Sequence, residues 1–160
     1  MTNNSSKATF TAAALALVLL CGAPLLRAQD TASLAAEAAA LSQSRQYAQA
    51  KQKFQQALAL SPNNATLHLS LGLTCQRLGE LPQAVAALEQ AVALNPSLVQ
   101  AHYALGLVSE ALAMRNPAQK AEHLARARKA WQSVIATAPP GNEAANTAAK
   151  HLLVLDINSK

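Results

Sequence analysis

Displaced by 34 residues, the sequence falls on itself. Ala57-Leu58-Ala59-Leu60-Ser61-Pro62 meets Ala91-Val92-Ala93-Leu94-Asn95-Pro96, and His68, Leu71, Gly72 and Leu73 meet His102, Leu105, Gly106 and Leu107. A period of this length is one supersecondary unit that cannot bury its apolar face alone, so it is stable only when stacked on its neighbours. Stacking gives a quasi-one-dimensional body with long surfaces. The residue types say what kind of unit stacks. Apolar residues make up 51% of the chain but aromatics only 3%, so alanine and leucine, both good helix formers, carry the core. Runs rich in valine, isoleucine and threonine, the mark of strands, are missing, and an all-α fold is predicted. Within residues 65–98, Leu67, Leu71, Thr74, Cys75 and Leu78 have helical spacing. Gly79 suits a left-handed helix end, and Pro82 suits the first turn of a second helix. Val85, Leu88, Val92 and Leu94 continue the stripe until Asn95-Pro96 stops it. Gly72 costs about 1 kcal/mol in a helix interior relative to alanine, and close approach of the second helix near Ala84 is the expected compensation.

The first 28 residues have a different character. Met1–Ser6 is polar, Lys7 is the first charge, Ala12–Leu20 is a short apolar run, Pro24 interrupts it, and Ala28 precedes polar Gln29-Asp30. That order is a secretory signal peptide, which makes the remaining chain exported, periplasmic or secreted. The alternative is an N-terminal anchor in the inner membrane, because Ala8–Leu26 runs 19 residues without a charge, enough to span. A lipid anchor on Cys21 is a third reading. Cys75 is the only other cysteine, so a processed chain has no intrachain disulfide. Its place on the apolar stripe makes Cys75 a buried small hydrophobe. The net charge is +5, and residues 1–28 hold Lys7 and Arg27 but no acid, which leaves +3 on the remainder. That balance is too mild to point to nucleic acid.

The unit resembles the tetratricopeptide repeat. That family's pattern is a large residue, Leu-Gly and an aromatic on helix A, then alanine, an aromatic, alanine and a closing proline on helix B. The second repeat, 65–98, presents His68, Leu71, Gly72 and Cys75, then Ala84, Leu88, Ala91 and Pro96. The first, 31–64, has Leu34, Glu37 and Ala38 at its worn front and Tyr47, Ala50, Phe54, Ala57 and Pro62 behind. The third, 99–141, opens with His102, Leu105 and Gly106, but Ala127, Trp131, Val134 and Pro139 arrive about 9 residues late. Asn116 is the expected cap, with Pro117 at the first helical position and Gln119 at the third. The stripe Ala121, Leu124, Ala127, Trp131 and Ile135 predicts a second helix lengthened by about two turns and projecting beyond the stack. Asn142 can cap a last helix over 142–157, with Ala145, Ala148, Leu152 and Leu155 covering the open end. The resemblance implies, over residues 29–160, a right-handed α-solenoid of three helix pairs plus a C-terminal capping helix.

It also implies a role: a non-catalytic scaffold or adaptor of the cell envelope, holding a peptide or helix of another protein in the concave groove of its A helices. Carried over by position, the second repeat offers Leu69, Ser70, Leu73, Gln76 and Arg77. The third offers Gln100, Tyr103, Ala104, Leu107 and Glu110, and the first adds Ser42 and Gln43. Tyr103 is the expected anchor, since tyrosine is enriched at binding hot spots. The positions of the family's carboxylate clamp hold Ala35, Ala39, Ser70, Gln100 and Ala104, so chaperone-tail recognition of that kind is not expected. Arg115, Lys120, Arg126, Arg128 and Lys129 stand against Glu122 alone. They are either a contact surface for an acidic partner or anionic membrane, or, as favoured here, a solvated face with a Glu122–Arg126 pair. His68 and His102 lack a matching Cys, Asp or Glu, so they are read as core fillers and no metal is expected. Without a phosphate loop, nucleophile elbow, metal motif or paired carboxylates, neither an enzyme nor a cofactor is expected. Nucleic-acid binding is not expected either, with aromatics so few. The alternative role is a structural component that self-assembles as a homo-oligomer.

Overall fold

The computed structural model describes residues 28–139 and 141–157. Apart from Ala28, the expected leader lies outside the described residues. Seven α-helices and one 3-10 turn follow one another among the described residues, with no strand. These are α1 (28–43), α2 (Tyr47–Leu60), α3 (Ala65–Leu78), α4 (Leu81–Leu94), α5 (Val99–Arg115), the 3-10 turn Pro117–Gln119, α6 (Lys120–Thr137) and α7 (Glu143–Ile157). Each packs on the next, and α3 also touches α5 across one repeat, the signature of a stack of helix pairs. The candidate membrane span of residues 8–26 is outside the described residues; among the described helices none is long and apolar enough to cross a membrane.

The local signals act as their chemistry requires. Asn64 Oδ1 accepts from the backbone N–H groups of Thr66 (3.0 Å) and Leu67 (3.2 Å) and so caps α3. Gly79 ends α3 at φ 76°, and Pro82 lies in the first turn of α4. Gly72 is where the pair closes: a Cβ there would stand 2.7 Å from Leu88 Cγ and 3.3 Å from the Ala84 carbonyl. Gly106 serves the next pair, where a Cβ would meet Trp131 Cε2 at 2.5 Å. Both helices cross closely because neither glycine carries a side chain. His68 and His102 hold the turns between repeats. Their Nε2 atoms lie 2.8 and 2.9 Å from the Pro62 and Pro96 carbonyls, each six residues upstream. They are half-buried bracing groups and not deep core fillers.

The buried residues form three linked clusters. One joins α1, α2 and α3 around Phe54 and Leu67; one joins α3, α4 and α5 around Leu88, Val108 and Cys75; one joins α6 and α7 around Trp131 and Val134. Every repeat is thus sealed by its neighbour, as a solenoid demands.

The third repeat departs from the sequence expectation. Helices α3 and α4 have 14 residues each, whereas α5 has 17 and α6 has 18, so the extra length is shared by both helices of the pair. The added turns do not project freely. Ala113 on α5 and His123 on α6 are buried, and Arg126 reaches back to Glu89 of α4 with Nε–Oε1 at 2.9 Å. The side chain of Asn116 does not cap the backbone as expected: the residue's own carbonyl accepts from the Gln119 N–H at 3.2 Å, while Nδ2 donates to the Gln119 side-chain Oε1 at 2.6 Å across the 3-10 turn.

Candidate functional site

The A helices α1, α3, α5 and α7 present one continuous concave side. Two adjoining hollows lie along it. The larger, about 970 Å³, runs from Leu73, Gln76 and Arg77 of α3 over Gln100, Tyr103 and Leu107 of α5 to Glu143, Ala144 and Thr147 of α7. The smaller, about 390 Å³, joins Ser42 and Gln43 of α1 and Tyr47 and Phe54 of α2 to Ser70 of α3. Leu73, Gln76 and Arg77 line both, so α3 forms a ridge from which the groove falls away on either side. Helical spacing puts these three on one face, while Leu67, Gly72 and Cys75 turn into the core.

The ridge has the chemistry of a contact surface. Leu73 is 40% exposed, a large apolar side chain held open to solvent. Arg77 is exposed and has no carboxylate in ion-pair reach among the described residues. Ser42 Oγ, in the wall of the smaller hollow, is buried and has no hydrogen-bond partner among the described residues. A buried hydroxyl left unpaired is costly, and a polar group entering the hollow would satisfy it. The groove therefore combines apolar shelves, one cation and an unsatisfied hydroxyl, with the Glu143 carboxylate at its far end.

Most of the residues read as groove-lining lie together on the concave side, and two do not join them. Ser70, Leu73, Gln76, Arg77, Tyr103 and Leu107 do line the concave side, as do Gln100 and Ala104. Leu69 does not: it is 5% exposed and belongs to the α3–α4–α5 core. Glu110 lies two turns beyond Tyr103 on the same face of α5 but outside the two hollows, where it accepts from Trp131 Nε1 at 2.7 Å and from His151 Nδ1 at 2.9 Å. Tyr103 is only half available, because its ring sits edge-on against Trp131 with centroids 5.2 Å apart. Sequence reading missed Glu143, Ala144 and Thr147. No repeat in the sequence marks them: of Gln100, Tyr103 and Ala104 only the last meets an identical residue, Ala148, 44 positions later. Helix α7 thus lines the groove as well as covering the last pair.

The basic run is not one patch. Arg126 pairs with Glu89 and with Glu122 (3.1 Å), and donates to His123 Nδ1 at 3.1 Å. Arg128 pairs with Asp156, and Arg115 lies 3.5 Å from the Gly79 carbonyl. Lys120 and Lys129 are exposed and form no ion pair among the described residues. The Glu122–Arg126 pair is the one expected from the i,i+4 spacing. Histidine 151 stacks on Trp131 at 4.5 Å, a contact between α7 and α6 without any counterpart in the sequence pattern.

Comparison with known proteins agrees with this geometry. The TPR repeat family model matches residues 40–79 and 74–112. No curated protein matches the sequence. Among solved structures, the first TPR of Spaghetti (RPAP3), bound to the HSP90 peptide SRMEEVD, superposes with a TM-score of 0.67 at 23% identity, over 80% of this chain and 94% of that one. The Yersinia enterocolitica type III secretion chaperone SycD, in complex with a peptide of the translocator YopD, gives 0.68 at 17% identity over 80% and 93%. PcrH in complex with the chaperone-binding region of PopD gives 0.69 at 21% identity over 80% and 92%. The 34-residue period, the paired helices closed on Gly72 and Gly106 and the family match together make this chain a member of the TPR repeat family, with its repeats recognised over residues 40–112.

Proposed function

We propose that this protein is a non-catalytic adaptor that holds an extended or helical segment of another protein in the concave groove, at the cell envelope. The observation that carries the reading is the ridge of Leu73, Gln76 and Arg77 between two open hollows. An apolar side chain of the ligand rests on Leu73 and Leu107 while a carboxylate next to it meets Arg77. Similar TPR structures were solved with peptides of other proteins, which supports the same use of this surface. The envelope setting rests on the character of residues 1–28. Sequencing the N-terminus of the exported product tests it, with cleavage after Ala28 expected; a protein retained in the cytoplasm with Met1 intact overturns it.

The groove is tested by affinity capture with the chain, against a Leu73→Asp, Arg77→Glu double variant. Both side chains are exposed, so helicity and stability should change by less than about 0.5 kcal/mol. Tyr103 is left alone, because its contact with Trp131 would confound the result. A partner held by the wild type and lost by the variant is the expected outcome. Identical partners for both would show that the groove is not the binding surface.

A further inference from the structure

Helix α7 has three sides, and two of them have a use. Ala148 and Leu155 are buried in one cluster with Trp131 and Val134 of α6, and Glu143, Ala144 and Thr147 line the groove. The third side points away from the stack. Asn146, Ala149, Leu153 and Ile157 follow one another along it at i, i+3, i+7 and i+11, and all four are exposed. Leu153 is 63% and Ile157 65% open to solvent. Two large apolar side chains held open on one helix face mark a contact surface.

This side is complementary to itself when reversed about Leu153. Three residues before Leu153 stands Lys150, and three after it stands Asp156; four before it stands Ala149, and four after it Ile157. Two α7 helices laid antiparallel across Leu153 therefore set Leu153 on Leu153, the broad Ile157 on the small Ala149, and Lys150 level with Asp156. A two-fold axis makes each of the last two contacts twice. Large against small fills the space between close helices, and opposite charges flank the apolar stripe. Lys150 is exposed and forms no ion pair among the described residues. Asp156 holds Arg128 of α6, and its side chain is still 58% exposed, so a second cation can reach it.

We infer that the outer side of α7 is a self-association surface, on which a second copy of the chain docks antiparallel about Leu153 with each Lys150 meeting the other copy's Asp156. A partner of any other sequence would leave the match of Lys150 to Asp156 and of Ile157 to Ala149 without a use. The contact is one helix on one helix, at the small end of interface sizes, so the pair forms and parts reversibly with concentration. Both concave grooves stay open in the dimer, because Glu143, Ala144 and Thr147 lie on a different side of α7. On the groove reading proposed above, the dimer would hold two segments at once and gain by effective concentration; the pairing itself does not depend on that reading.

Sedimentation velocity of the full chain over a concentration series tests the pairing. The wild type should pass from monomer to dimer as concentration rises. Lys150→Glu and Asp156→Lys should each weaken the dimer about tenfold or more, since each sets two like-charge contacts across the two-fold axis. Mixed in equal amounts, the two variants should recover the dimer, because each supplies the charge that the other lacks. Leu153→Asp should abolish dimers while helicity and Trp131 fluorescence stay those of the wild type, as for a change at an exposed position. The Leu73→Asp, Arg77→Glu groove variant should dimerise as the wild type does, so a failed pairing and a failed groove are told apart. A wild type that stays monomeric at every concentration, dimers that survive Leu153→Asp, dimers lost in the groove variant, or charge variants that do not recover on mixing would each overturn the inference.

Discussion

Single atoms govern how close the helix pairs come. At Gly106 an added methyl meets the Trp131 indole, which is pinned by its hydrogen bond to Glu110 and its stack on His151. At Gly72 the obstacle is Leu88, a flexible side chain. Gly106→Ala is therefore expected to lower stability by about 3 kcal/mol and Gly72→Ala by about 1 kcal/mol, within the range for overpacking; urea unfolding followed by circular dichroism reads both. Titration adds a second prediction at this scale. Burial pushes the Cys75 thiol above its ordinary value of 9.0, with Lys51 opposing and Glu80 adding to the rise. The hydrogen bond from Lys51 to Glu80 raises Lys51 above 10.5, against the cost of its own desolvation. For both groups the folded state keeps its proton to higher pH than the unfolded chain does. The unfolded chain then binds fewer protons, and stability falls as pH rises. Stability should be flat with respect to these two groups below pH 9 and decline above it, first through Cys75 and then through Lys51. A Cys75→Ala variant should remove the first part of the decline, and a thiol reagent at pH 8 should label Cys75 only after unfolding.

At the level of elements, α7 decides how the stack ends. It was legible in the sequence as a cap, from Asn142 and the apolar positions after it, and Asn142 Oδ1 does accept from the Ala144 N–H at 2.7 Å. Its second role, lining the groove, was obscured because the insertion in the third repeat breaks the 34-residue period and the groove positions Gln100 and Tyr103 have no like residues in α7. Leu155 is 7% exposed in the cluster with Trp131 and Val134. Leu155→Ala is expected to cost about 2–5 kcal/mol, as for other large-to-small core changes. Trp131 is the only tryptophan in the chain and is fully buried, so undocking of α7 should move its fluorescence to longer wavelength. An unchanged spectrum in that variant would mean that α7 does not seal Trp131.

For the whole molecule, three clusters in a row imply graded stability. The middle one, around Leu88 and Val108, has a repeat on either side, whereas the outer ones are each sealed from one side. Amide hydrogen exchange is therefore expected to be slowest in α3, α4 and α5, and fastest in α1. Leu88→Ala should lower the protection of all three central helices together. Faster exchange confined to α4 would show that the repeats open independently.

Much of this architecture was written in the sequence, because a helix pair is specified by local spacing. The 34-residue period, Gly79, Pro82, Asn64 and the apolar stripes act within one repeat, and each took the position its chemistry implied. The central groove residues Leu73, Gln76 and Arg77 were legible for the same reason: helical phase alone turns them away from the core. That Leu69 is buried and the Glu110 carboxylate engaged was not legible, because burial against a neighbouring repeat, and a bond from Trp131 far along the chain, leave no mark in local spacing. The sharing of the insertion between α5 and α6, the entry of α7 into the groove, and the open outer side of α7 with Leu153 and Ile157 were settled only in three dimensions. They depend on which helix lies beside which, and that is decided by side-chain packing between repeats once the helices have formed.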